Sequence, residues 1–126
     1  MPNAEMKKWR ISQIQFDLEV LEKGSNELEM SFAFSSMVPE NSTTENNIRV
    51  KFEFQSKNKE GKNFLSLTSD SYYEVSSPEM LAHNKKELLD NECFPETYKI
   101  VCDFLENFMK MVHLPPMLLP DYADLK

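Results

Sequence analysis

NELEMSFAFSSMV, residues 26–38, alternates without a break: Leu28, Met30, Phe32 and Phe34 take every second position, and Glu27, Glu29, Ser31, Ala33 and Ser35 stand between them. Successive side chains of an extended chain point to opposite sides, so a period of two gathers the apolar groups on one face and the polar groups on the other. This is the pattern of a strand buried on one side only. NIRVKFEFQS, residues 47–56, repeats it, with Ile48, Val50, Phe52 and Phe54 against Arg49, Lys51, Glu53 and Gln55. Working outward, ISQIQFDLEVLE (residues 11–22) sets Ile14, Phe16, Leu18 and Val20 in one parity and Gln15, Asp17 and Glu19 in the other. NFLSLTSDSYYEV (residues 63–75) starts in the same way with Leu65 and Leu67; Tyr72, Tyr73 and Val75 then read as a disturbed parity, as at a bulge.

Four strands are therefore expected, joined in sequence as an antiparallel meander. The two glycines of the chain, Gly24 and Gly61, fall between the first and second and between the third and fourth strands, where hairpin turns need the positive φ that glycine supplies. PENSTTENN, residues 39–47, is a polar loop. Its Asn41-Ser42-Thr43 matches a glycosylation acceptor, which without a secretion signal is a chance match.

After Ser77 the period changes from two to that of a helix. Ser77, Pro78 and Glu79 form a helix start: a side chain to accept from free N–H groups, a residue with φ already set, and a negative charge in the first turn. A short helix is expected to end before FPET, and Pro95 to open a longer one along which Phe94, Tyr98, Val101, Leu105, Phe108 and Val112 form an apolar stripe. Phe104, Met109 and Met111 widen the stripe beyond what one sheet face needs, which reads as contact with a second subunit or as a thick intramolecular core. The fold class read from this order is α+β, a four-stranded antiparallel sheet followed by a short and a long helix packed on one face, with residues 1–126 forming a single domain.

The chain carries a formal charge of −7. That disfavours nucleic acid and anionic membrane surfaces, which require clustered Lys and Arg. No run approaches the roughly 18 apolar residues of a membrane span. MPNAEMKKWR also lacks the apolar core of a signal peptide, so the expected location is the cytoplasm and no membrane insertion is expected. Cys93 and Cys102 lie nine positions apart on one helical pattern, turned about 180° from each other, and cannot easily form a disulfide within that helix.

Signs of chemistry are few. His83 and His113 have no metal-ligand spacing with a second His or Cys, and neither a phosphate-cradling loop nor a dinucleotide fingerprint occurs. Neither a cofactor nor a metal is expected, and an enzyme is not. The carboxylates Asp17, Glu19, Glu27, Glu29 and Glu53 take the polar parity of their strands, where they read as a solvated face or as a surface for a basic partner. What stands out is soft and apolar: eight methionines, and a tail, HLPPMLLPDYADLK (residues 113–126), that its prolines keep from being helical. Met37 and Val38 at a strand end, Tyr72 and Tyr73 near the junction of sheet and helix, and Met111, Leu114, Met117 and Leu118 at the end of the chain are the candidates for an apolar groove.

The order of elements and four stretches resemble SecB, the bacterial protein-export chaperone: RISQIQFDLE its first strand, NFLSLTSDSYYEV its fourth, NECFPETYKIVCDFLENFMKMV the segment where a Cys precedes a Pro-started helix, and HLPPMLLPDYADL its proline-punctuated apolar run. The resemblance implies a homotetramer built as a dimer of dimers. It also implies apolar grooves that hold unfolded preproteins, and delivery of export clients to SecA through an acidic sheet face. Asp17 and Glu19 are the candidate docking acids; in the family alignment Glu19 and Leu65 fall on positions that contact the motor, while Leu67 replaces a family glutamate. SecB-like proteins also serve toxin–antitoxin systems, so a dedicated chaperone or adaptor of one partner, such as an antitoxin, is the alternative.

Overall fold

The computed structural model describes residues 3–21, 28–37 and 46–125. Four strands, β1 (Ala4–Phe16), β2 (Glu29–Met37), β3 (Asn47–Lys57) and β4 (Asn63–Val75), precede two helices, α1 (Pro78–Leu88) and α2 (Phe94–Met111), joined through a π-helical turn at Leu89–Cys93. The β3–β4 hairpin is closed by Gly61 at φ +82, with the Asn58 side chain accepting from the N–H groups of Glu60 and Lys62. Gly24, Val38 and the Asn41 acceptor lie outside the described residues.

All strand pairs are antiparallel, but the sheet order is β1-β4-β3-β2. The expected meander holds for β2, β3 and β4 and is corrected for β1, which lies beside β4 in a Greek-key arrangement. Alternation within a strand specifies which face it buries and says nothing about its neighbour. β1 also starts earlier than its sequence pattern suggests and ends at Phe16; Leu18 to Val20 form a 3-10 turn capped by the Asp17 side chain. Two register shifts in β1, between Met6 and Lys8 and between Ile11 and Gln13, explain how Met6, Trp9, Ile11, Ile14 and Phe16 all reach the helix side despite their uneven spacing.

β4 has no such interruption at Tyr72 and Tyr73. Leu65, Leu67, Ser69, Ser71 and Tyr73 pair in one unbroken parity with the buried residues of β3, Val75 continues that parity opposite Ala4 of β1, and all are buried. Two serines conceal that parity in the sequence. Ser71 anchors a network: its hydroxyl lies 3.0 Å from the Thr97 hydroxyl, which is 2.9 Å from the Tyr73 hydroxyl, and Tyr73 donates to the Cys93 carbonyl at 3.0 Å. This buried chain of hydroxyls ties α2 to the middle of the sheet, and it satisfies groups that would otherwise be costly to bury.

The two expected helices follow one path without a break at FPET, although α1 is itself kinked at Asn84 (φ −122, ψ 27). Pro95 has no N–H to donate and its ring crowds the preceding turn. The widened turn at Leu89–Cys93 absorbs that conflict without ending the helix. Ser77 caps α1 as its chemistry suggests, accepting from the Met80 N–H at 3.1 Å. One core cluster, centred on Phe52, Phe54, Phe64, Leu65, Leu67, Tyr98, Val101 and Leu105, fills the space between sheet and α2, and a second lies under α1 around Ile48, Tyr73, Val75 and Leu88. The opposite face of the sheet, bearing Arg49, Lys51, Glu53, Thr68 and Asp70, is covered by no described element.

Candidate functional site

α2 ends in a Schellman motif. His113 adopts φ +58, its N–H donates to the Lys110 carbonyl at 3.2 Å, and the Leu114 N–H donates to the Met109 carbonyl at 2.9 Å. With Pro115 and Pro116 following, the helix cannot resume, and the left-handed residue turns the chain back along α2. The returning segment is held at its far end: Tyr98 donates to the Pro120 carbonyl at 2.5 Å and Tyr122 to the Asp90 carbonyl at 3.3 Å. The Tyr122 ring also sits 5.9 Å from Phe34 and 6.3 Å from Tyr98, so the strap crosses toward β2.

Between strap and helix runs a cleft of about 500 Å³, lined by Pro95, Tyr98, Cys102 and Leu105 from α2 and by Pro116, Met117, Leu119, Pro120 and Tyr122 from the tail, with the charged side chains of Lys99, Glu106 and Asp121 also on its wall. Beside it the outer edge of β2 has no strand partner among the described residues, and Phe32 and Phe34, only half-buried, form rings of contacts with Phe52, Tyr98 and Phe94. An unpaired row of backbone groups next to an apolar cleft can take an extended peptide in two ways, by ladder hydrogen bonds and by side-chain pockets.

Of the apolar candidates at the end of the chain only Met117 lines this cleft; Leu114 is half-buried against the core, and Met111 (77% exposed) and Leu118 (90% exposed) stand outside the lining, Met111 on the opposite face of α2. Met37 and Tyr72 do not join them. They fall in the register row Met37–Arg49–Tyr72 on the uncovered sheet face, away from the helices. Tyr73 and Leu65 require correction: at 2% and 0% exposure both are core residues, because the unbroken parity of β4 turns them toward α2. Asp17 and Glu19 are exposed at the 3-10 turn after β1, where Asp17 accepts from the Glu19 N–H at 3.0 Å; they do not lie on the sheet face. Sequence reading passes over Phe32, Phe34, Tyr98 and Cys102 because periodicity assigns them to a core, and nothing in periodicity shows that a core is left ajar.

Burial sets the chemistry of the two thiols. Loss of water, with Glu92 and Glu96 adding to it, pushes the Cys93 thiol up to about 12, and Cys102 is raised by burial as well. Tyr98 is likewise raised, chiefly by burial. A thiol that stays protonated in the native state but ionises near its ordinary value once unfolded favours unfolding as pH rises past that value. Stability is therefore expected to fall progressively from about pH 9 upward, measured by urea melts across that range. Iodoacetamide at mildly alkaline pH should modify half-buried Cys102 well before Cys93; equal rates in the native protein would contradict the burial of Cys93.

Comparison with known proteins agrees with this architecture. No protein-family model matches the chain, and no curated relative does. A solved structure, that of the Mycobacterium tuberculosis Rv1957 SecB-like chaperone in complex with a ChAD peptide from the HigA1 antitoxin, superposes with a TM-score of 0.64 at 13% identity, over 94% of this chain and 90% of that one. The fold is SecB-like. Coverage of nearly the whole of both chains means that the likeness is one of the whole fold rather than of a single element. The sequence resemblance rests on short stretches; the superposition supports the SecB-like fold from the path of the backbone as a whole. Among the described residues, no helix is long and apolar enough to cross a membrane.

Proposed function

We propose that this protein is a cytoplasmic SecB-like chaperone that holds extended apolar segments of a client polypeptide, without making or breaking a covalent bond. The observation that carries the reading is the cleft between α2 and the tail, lined mainly by apolar side chains with Lys99, Glu106 and Asp121 also on its wall, near a β2 edge that is unpaired among the described residues and flanked by half-buried aromatic rings. Methionine and aromatic side chains suit clients of varied shape, since they present large apolar area that can repack. The free edge of β1, next to half-buried Trp9 and Phe104 and to exposed Ile14, is the surface through which copies would assemble into the dimer of dimers that the SecB resemblance implies. The dedicated alternative, one partner such as an antitoxin, has its support in the complex formed by the Mycobacterium tuberculosis neighbour. Transfer of preproteins to SecA is the weaker arm of the proposal, with Leu65 buried and Asp17 and Glu19 off the sheet face.

Suppression of light scattering by chemically denatured, unrelated enzymes tests the reading. The wild-type protein should suppress aggregation at near-equal subunit ratios, and Met117→Asp combined with Leu118→Asp should weaken client affinity by about tenfold or more, given roughly 1.5–3 kcal/mol per apolar side chain buried. No suppression of any unrelated client, together with tight capture of one partner, would favour the dedicated role. Suppression unchanged in the double variant would sink the cleft as the site.

A further inference from the structure

The uncovered face of the sheet holds a second built feature, independent of the cleft. Asp70 is 2% exposed although no described element lies over it, because two guanidinium groups do. Arg49 donates to it through Nε at 3.1 Å and Nη2 at 3.0 Å, and Arg10 stands 3.8 Å away from its other oxygen. Both guanidiniums also approach the Tyr72 ring, at 5.8 Å for Arg10 and 5.7 Å for Arg49, and Arg10 donates to the Tyr72 hydroxyl at 3.2 Å. The carboxylate and the ring hold the two arginines in place, which lowers the entropy that a ligand must take from them.

A depression of about 550 Å³ opens over this cluster, lined also by Lys51 and Glu53. Its two acids are already matched, Asp70 by the arginines and Glu53 by Lys51 at 3.1 Å, so the charge left over is positive, on a chain whose net charge is −7. Most of the ten N–H donors of the two guanidiniums remain free of protein hydrogen bonds among the described residues. We propose that the open sheet face is a docking site for an acidic polypeptide segment, whose carboxylates bind the Arg10–Arg49 pair across the depression. This is the opposite charge preference from the acidic, motor-facing sheet that the family resemblance implies.

Fluorescence anisotropy with the full chain tests it, using labelled peptides of equal length built from Glu and Ser, from Lys and Ser, or from Gly and Ser. The Glu/Ser peptide should bind with a micromolar Kd and the other two much more weakly. Binding should weaken by about tenfold or more in Arg10→Gln, and should also fade as salt rises from about 50 to about 300 mM. Lys51→Gln, at a half-exposed position paired with Glu53, is a second variant expected to weaken binding several-fold if Arg10→Gln perturbs folding. Equal or tighter binding of the Lys/Ser peptide would overturn the proposal, as would Glu/Ser binding unchanged in both variants or no binding at all. Should Arg10→Gln instead abolish a concentration-dependent increase in particle size, the occupant is a second copy and the proposal falls. The client assay with Met117→Asp and Leu118→Asp reads the other side of the sheet, so the failure of one reading leaves the other standing.

Discussion

Truncating Phe52 to alanine should lower the stability of this protein by about 3–5 kcal/mol, a large share of the roughly 5–15 kcal/mol that holds a domain of this size together. Phe52 is fully buried in the middle of β3, where its ring lies 4.6 Å from Phe34 and 6.0 Å from Tyr98. It stands where the sheet, α2 and the β2 edge meet, so a cavity there cannot be filled by a shift of one side chain. Urea melts followed by circular dichroism should show the midpoint falling by about 2 M, taking a slope of roughly 1–3 kcal/mol per M. A loss under about 1 kcal/mol would mean that the interior between sheet and helix is looser than its burial suggests. Phe54→Ala, two residues along β3 and equally buried, should behave alike, and the pair should not be additive because both rings contact Phe32.

The second large effect lies on the other side of the sheet. Arg49→Ala removes both hydrogen bonds to Asp70 and one of the two groups that cover it, leaving a partly re-solvated carboxylate with Arg10 at 3.8 Å. Breaking a fully buried ion pair costs about 3–5 kcal/mol. Arg49 is partly solvated, Arg10 remains, and water can reach Asp70 on the open face once Arg49 is truncated, which brings the expected loss down to about 1–2 kcal/mol. Changing Asp70 to Asn in the same chain should return part of it, since the neutral amide needs no counter-charge; a double-mutant cycle should show coupling of about 1–2 kcal/mol. Strict additivity of Arg49→Ala and Asp70→Asn would show that the pair does not interact in solution. The experiment also separates the structural duty of Arg49 from the docking proposed for the same face, because Arg10→Gln and Lys51→Gln leave the Arg49–Asp70 hydrogen bonds in place.

How far the fold is legible in the sequence varies with the kind of information each element carries. β2 and β3 are readable residue by residue, because strict alternation leaves one assignment of faces. β4 is readable only at its start, where Leu65 and Leu67 report the parity; Ser69 and Ser71 continue it on the core side but look solvent-facing by composition. Ser71 is tolerated there because the Thr97 hydroxyl, on a helix far along the chain, stands within hydrogen-bonding distance of it. The extent of β1 escapes sequence reading because its bulges break the period from which strands are recognised.

The candidate site divides along the same line. Met111, Leu114, Met117 and Leu118 are legible as apolar groups in or beside a segment barred from being helical, and all four sit at the end of α2 or in the returning strap. Tyr73 and Leu65 stand out by proximity in sequence to a junction or by family alignment, and the pleat buries them. The Arg10–Asp70–Arg49–Tyr72 cluster draws on three strands, and no single stretch of chain contains more than two of its members in reach of each other.

By itself the amino-acid sequence determined that β2, β3 and the start of β4 are strands, which face they bury, the cap that starts α1 and the end of α2 before the prolines that follow His113, since each of these follows from forces acting within a few residues. Tertiary structure alone decided that β1 pairs with β4, that the tail folds back to leave a cleft, and that two arginines enclose one aspartate on the open face. Those outcomes depend on which surfaces meet across long spans of chain, and that choice is made by the total burial and hydrogen bonding of the whole molecule rather than by local periodicity.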